Sequence, residues 1–161
     1  MPRILLSENG NTKFEKALSL VPEVKTQYDR LYDFLWEEQE LSGEVKEKIR
    51  LYLANLNGCA TCMSLSYLGR TDWNEEISGA IRTGDFRGFP ELYQKLFAFI
   101  SQYRTEPHSL ADEQITGLKE YFTDRQIIKL LALINLFDGF HKIIVSLDLY
   151  DFCSIGKENV R

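Results

Sequence analysis

The apolar residues of this chain recur at intervals of three and four almost from end to end. Nowhere do they alternate with polar residues over a run long enough for a half-buried strand. That periodicity leaves one fold class open, a bundle of amphipathic helices. Thr12 with Glu15 reads as a capping box ahead of Phe14, Ala17, Leu18 and Val21, and Pro22 interrupts this first short helix. From Pro22, a residue suited to a first helical position, Val24, Tyr28, Leu31, Tyr32, Leu35 and Trp36 trace a stripe that runs to about Glu40. Ser42 is placed to cap a third helix whose Val45, Ile49, Tyr52, Leu53 and Leu56 share a face until Asn57-Gly58 stops it.

Cys59 begins a fourth element, read as a helix through Cys62, Met63, Leu65 and Ser66 to Gly69. Asp72 with Glu75 predicts a capping box for the fifth, which carries Trp73, Ile77, Ala80 and Ile81. Past the loop marked by Gly84 and Gly88, Pro90 opens a helix with Leu92, Tyr93, Leu96, Phe97, Ile100 and Tyr103 on one face. Thr105-Glu106-Pro107-His108 then imposes a loop of about seven residues. A helix starting within Ser109 to Asp112 holds Ile115, Leu118 and Phe122. Thr123 with Gln126 caps a long last helix through Leu149, with Gly139 as its weak point. The expected fold class is all-α: a single-domain helical bundle of seven or eight helices over residues 1–161, with a polar, loose tail at about 151–161. With 44% apolar side chains in 161 residues, the chain can fill one core, and 12% aromatics exclude disorder.

Charge and hydropathy narrow the function classes. The longest uninterrupted apolar run, Leu130-Leu131-Ala132-Leu133-Ile134, is far short of the roughly 18 to 20 residues that cross a bilayer. The amino terminus has no apolar segment of secretory type, so a cytoplasmic location and no membrane partner are expected. A net charge of −5 without a run of Lys or Arg supplies no basic face for phosphates, which argues against nucleic acid. Three cysteines is an odd number, a poor basis for a disulfide framework, so chemistry or packing must explain them.

Reactive residue types cluster at Cys59-Ala60-Thr61-Cys62. On a helix, residues three apart share a face about 5 to 6 Å from each other, which lets a disulfide form with little backbone movement. The position of Cys59 just after Asn57-Gly58 puts it at a helix start, where a thiolate is favoured. Two other readings compete. A buried cysteine can be a small hydrophobe. Half a zinc site is the other, but Cys153, His108 and His141 are single and none is spaced as a second pair. No cofactor or metal is expected.

Glu47 through Ser66, Glu-Lys-Ile-Arg-Leu-Tyr-Leu-Ala-Asn-Leu-Asn-Gly-Cys-Ala-Thr-Cys-Met-Ser-Leu-Ser, resembles the core motif of the alkylhydroperoxidase D and carboxymuconolactone decarboxylase superfamily. That motif has a Glu on one helix, Asn-Gly-Cys-x-x-Cys opening the next, and a His four residues after the second Cys. The likeness is specific over Leu41 to about Arg70. It continues more loosely over Leu110 to Leu149, which is similar to the carboxyl-terminal half of the CxxC-containing peroxidase-related members.

The resemblance implies an all-α homo-oligomer that reduces a small-molecule peroxide with two cysteines and is re-reduced by a thiol or a lipoyl-type protein. Cys59 and Cys62 match the redox pair, and Glu47, twelve residues before Cys59, matches the proton-relay carboxylate. A carboxylate shielded between helices can take and return a thiol's proton; the competing reading of Glu47 is an exposed first-turn acid favoured by the helix dipole. Ser66 stands where the family has its His, and Thr61 where some members have a second one. On a continuing helix Ser66 would share the cysteine face and pass a hydrogen bond, but an alcohol is no base at neutral pH. The resemblance makes Cys62 the attacking sulfur and Cys59 the more accessible one, whereas the helix-start argument favours Cys59 as nucleophile.

His141 supplies an imidazole to this site only if the last helix packs over the CxxC helix; otherwise it is a hydrogen-bonded core residue. His108 is expected to be solvated, Tyr52 and Tyr67 to pack, and Cys153 to be an inert thiol. The leading function is an antioxidant thiol peroxidase or disulfide oxidoreductase. Its rivals are a redox-sensing or interaction protein that kept the dithiol without turnover, and a lactone decarboxylase-like member, against which the CxxC pair argues. The aromatic-rich Pro90–Tyr103 face, richer than one monomer face needs, also points to a homo-oligomer.

Overall fold

A computed structural model describes residues 1–151; Cys153 and the tail from residue 152 onward lie outside the described residues. Eight α-helices follow one another: α1 (Lys13–Leu18), α2 (Pro22–Glu37), α3 (Gly43–Leu56), α4 (Ala60–Ser64), α5 (Asp72–Thr83), α6 (Glu91–Thr105), α7 (Asp112–Lys119) and α8 (Asp124–Ser146). Among the described residues there is no strand, and no helix is long and apolar enough to cross a membrane.

Helix α3 is the centre of the bundle. It packs against α8, α5 and α4, while α2 closes on α8 and α7 on α6. Every residue from Val45 to Ala54 is buried, although four of them are charged. Each charge is matched. Lys46 reaches the carbonyl oxygen of Trp36 at 2.8 Å and the carboxylate of Glu38 at 3.1 Å. Lys48 lies 4.3 Å from the ring of Tyr93 and 5.0 Å from that of Trp73, and pairs with Glu44 at 3.1 Å. A buried ammonium is tolerable when carbonyls, carboxylates or ring faces replace its water.

Three hydroxyl caps form as the sequence predicts, whereas Thr71 at the start of α5 makes no side-chain cap bond. Thr12, Ser42 and Thr123 accept from the backbone N–H of Glu15, Val45 and Gln126, and Gln126 reaches back to the N–H of Thr123. Other boundaries differ from the periodic reading. Helix α2 stops at Glu37 rather than near Glu40, because the Glu38 carboxylate turns back to the N–H groups of Glu40 and Leu41 and takes Lys46 and Lys129. Asp72 does not cap α5: its carboxylate is taken by Arg70 at 2.9 and 2.7 Å. Helix α8 stops at Ser146 rather than Leu149, where Asp148 adopts a left-handed conformation and the Leu149 N–H returns to Ile144. Gly139 leaves that helix unbroken, and part of the expected loop after α6 is a 3-10 turn, Pro107–Ser109.

The α6 face that looked too apolar for a monomer is covered from within. Tyr93, Leu96, Phe97, Phe99 and Ile100 are buried, and Phe97 stacks on Tyr52 at 4.3 Å. Among the exposed apolar residues, Val24, Leu31 and Phe34 share a face of α2, while others such as Leu5, Leu68 and Ile128 are scattered.

Candidate active site

Helix α3 ends at Asn57, and Gly58 takes a positive φ of 64° that reverses the chain. A side chain would strain that turn. The reversal brings the Cys59 N–H to the Ala54 carbonyl at 2.9 Å and sets Cys59 at the start of α4. One turn on, Cys62 closes a disulfide with Cys59, with Cα atoms 5.2 Å apart. Cys59 has no exposed surface and Cys62 has 5%, so the order of accessibility expected for the two is reversed. Cys62, not Cys59, lines a pocket of about 330 Å³ whose walls include Tyr32, Leu65, Tyr67, Phe137, Phe140, His141 and Ile144.

The side chain that organises this site is Arg50, which the sequence reading passed over. It is 1% exposed. Its Nε and Nη2 donate to the two carboxylate oxygens of Glu47, each at 2.7 Å. Its Nη1 donates to the Cys62 carbonyl and Nη2 also to the Leu65 carbonyl, again at 2.7 Å. The Tyr67 ring lies 4.2 Å from the guanidinium, and the Tyr67 N–H donates to Glu47 at 3.0 Å. A Glu and an Arg three apart on a helix face was the available signal.

This network accounts for the early end of α4. In a continuing helix the Cys62 carbonyl would accept from the Ser66 N–H; Arg50 takes that carbonyl instead, and Leu65 turns to extended backbone. The cysteine face on which Ser66 was expected therefore stops at Ser64. Ser66 lies beyond it, with its hydroxyl buried and no hydrogen-bond partner. Glu47 is fully buried, which overturns the exposed-acid reading. Arg50, rather than Glu47, borders the pocket, and Glu47 reaches Cys62 through it.

His141 comes to the site although α8 packs chiefly on α3. Helix α8 brings it to the same pocket as Cys62, with its ring 6.1 Å from that of Phe137 and 3% of its surface exposed. Burial, with the Arg50 charge adding to it, pulls the imidazole down to about 4, so the ring is neutral across the physiological range. Tyr32, also on the wall, has its hydroxyl pushed up by burial and by its hydrogen bond to Tyr67. Thr61 accepts the N–H of Asp151 at 3.1 Å and so ties the segment after α8 to α4. Tyr52 packs as expected, with its hydroxyl 2.7 Å from that of Ser101, and His108 is exposed. Among the described residues no three His, Cys, Asp or Glu side chains are grouped as metal ligands.

No protein-family model matches the chain, and no curated protein matches it in sequence. Solved structures do match. A protein of unknown function from Agrobacterium tumefaciens, proposed to be the antioxidant defence protein AhpD, superposes with a TM-score of 0.72 at 17% identity, over 85% of this chain and 96% of that one. An uncharacterized peroxidase-related protein from Silicibacter sp. TM1040 gives 0.71 at 16% identity, over 84% and 73% of the two chains. A third, from Ralstonia eutropha JMP134, is an uncharacterized peroxidase-related protein described as an alkylhydroperoxidase AhpD core; it gives 0.68 at 15%, over 84% and 74%. The chain thus has the all-helical alkylhydroperoxidase D-like fold.

Proposed function

We propose that the protein is an antioxidant thiol peroxidase, a disulfide oxidoreductase that cycles Cys59 and Cys62 between dithiol and disulfide. The observation that carries this reading is the Cys59–Cys62 disulfide with its Cys62 side on a pocket large enough for a small organic molecule. In the reduced protein the Cys62 thiolate attacks the terminal oxygen of a hydroperoxide. An S–O bond forms, the O–O bond breaks, and the alcohol leaves once its alkoxide is protonated. The Cys59 thiol then displaces water from the Cys62 sulfenic acid and closes the disulfide. A thiol or a lipoyl-type protein reopens it. Cys62 is the attacking sulfur because it meets the pocket, and the buried Cys59 resolves.

Glu47 serves the site by holding Arg50, whose guanidinium fixes the backbone under Cys62 and favours a thiolate in the pocket. Ser66 offers a buried hydroxyl behind α4. A cytoplasmic location suits a dithiol that a thiol pool keeps reduced. The test is peroxide consumption with dithiothreitol or dihydrolipoamide as reductant, in wild type and in Cys62→Ser. Turnover lost with Cys62 supports the peroxidase. Ser66 in place of the family's imidazole favours one second reading, a redox sensor, which oxidation of the pair without turnover would select.

A further inference from the structure

We infer that His141, on the last helix, is the catalytic base of this pocket, relaying the proton of the Cys62 thiol to the leaving alkoxide. The inference rests on the peroxidase reading above. Three observations lead to it.

First, His141 and Cys62 border one pocket although they come from different ends of the fold. Second, the state of the ring is set by its surroundings. Nδ1 is buried without a hydrogen-bond partner, and the Leu53 backbone carbonyl lies beside the ring. A neutral imidazole carries one proton, so one ring nitrogen keeps a free lone pair in either tautomer. An unpartnered polar atom inside a protein is costly and calls for a reason, of which a part in the chemistry is one. Third, the other candidates for the role are occupied or misplaced. Both Glu47 oxygens are engaged by Arg50, and Ser66 lies past the end of α4.

The groups around the ring fit that role. Arg50 from α3 and Arg104 from α6 disfavour a resident imidazolium, and Asp138 on α8 opposes them. Cys62, Tyr32 and Tyr67 share the pocket, and Glu15, Lys25, Asp29 and Asp151 also line it. The ring therefore stays neutral and available until a proton leaves sulfur. In the step, the Cys62 S–H proton passes to the unprotonated ring nitrogen of His141 as sulfur attacks the terminal peroxide oxygen. The alkoxide departs with the O–O electron pair and takes the same proton as the alcohol, leaving the imidazole neutral again.

The test is single-turnover oxidation of the reduced protein by an organic hydroperoxide such as cumene hydroperoxide, followed as thiol loss between pH 5 and 8.5. It is run in wild type, in His141→Gln and in His108→Gln as a control. Wild type and His108→Gln should hold a nearly level rate down to about pH 5. His141→Gln should react at least about 10²-fold more slowly at pH 7, and its rate should fall tenfold per pH unit because only preformed thiolate remains reactive. Equal rates and profiles in folded wild type and His141→Gln would overturn the assignment. A structural role alone would not change the profile.

Iodoacetamide alkylation of Cys62 over the same pH range reads the same base without peroxide. Wild type inert to peroxide sinks the peroxidase reading, and the alkylation profiles then still decide the role of His141. If His141→Gln does not fold, ring ¹⁵N shifts of the reduced wild type settle it. One ring nitrogen should be unprotonated at pH 7, and a doubly protonated ring there would overturn the proposal.

Discussion

Arg50 and Glu47 form a fully buried pair with two parallel hydrogen bonds, and each leaves the other uncompensated if it is removed alone. Glu47→Gln or Arg50→Met should therefore destabilise the protein by about 3 to 5 kcal/mol, read from urea unfolding. The double substitution should recover most of that loss, because no unpaired charge remains. His141 carries a second residue-scale prediction. Its folded pKa of about 4 lies below the usual histidine value, so the unfolded chain binds the extra proton between the two. Its contribution is present above about pH 6.5 and is lost as pH falls through about 4. It amounts to on the order of 3 kcal/mol at most. His141→Gln should flatten the acid limb of a stability curve measured from pH 7 to pH 4. A limb unchanged in the variant would show that the imidazole is not the group responsible.

Among the elements, α4 sets the redox geometry: one turn of helix puts the two sulfurs within bonding distance, and the Asn57-Gly58 turn places that helix against α3. Mild oxidation followed by thiol blocking and mass spectrometry should recover Cys59 joined to Cys62 and Cys153 labelled. Label on Cys59 or Cys62 with Cys153 protected would contradict the pairing. The cap of α8 is a local test of how much one hydroxyl stabilises. Thr123→Ala should cost about 0.5 to 2 kcal/mol in thermal unfolding. Starts of this kind are legible because the cap residue and its partner are three apart in the chain. Helix ends were less legible, since α2 and α4 stop where side chains from other positions take over carbonyls or turn the backbone.

For the whole molecule, the apolar stripe of Val24, Leu31 and Phe34 on α2 is left exposed by the described residues. We propose it as the contact of a homo-oligomer. Light scattering should give a multiple of 18.7 kDa, and Phe34→Glu should lower it toward that unit. A monomer at micromolar concentration would remove this proposal.

The sequence by itself determined the helical class, the caps at Thr12, Ser42 and Thr123 and the spacing of Cys59 and Cys62, because these follow from interactions between residues three and four apart. Only the tertiary structure decided that α3 is buried on all sides, that Arg50 ends α4 and that His141 borders the same pocket as Cys62. The first of these runs against the helical pattern: charged positions such as Lys46 and Lys48 read as solvent-facing until α2, α5 and α6 supply the carbonyls, carboxylates and rings that replace water. The last depends on α8 packing against α3, a juxtaposition that packing creates and no local spacing encodes.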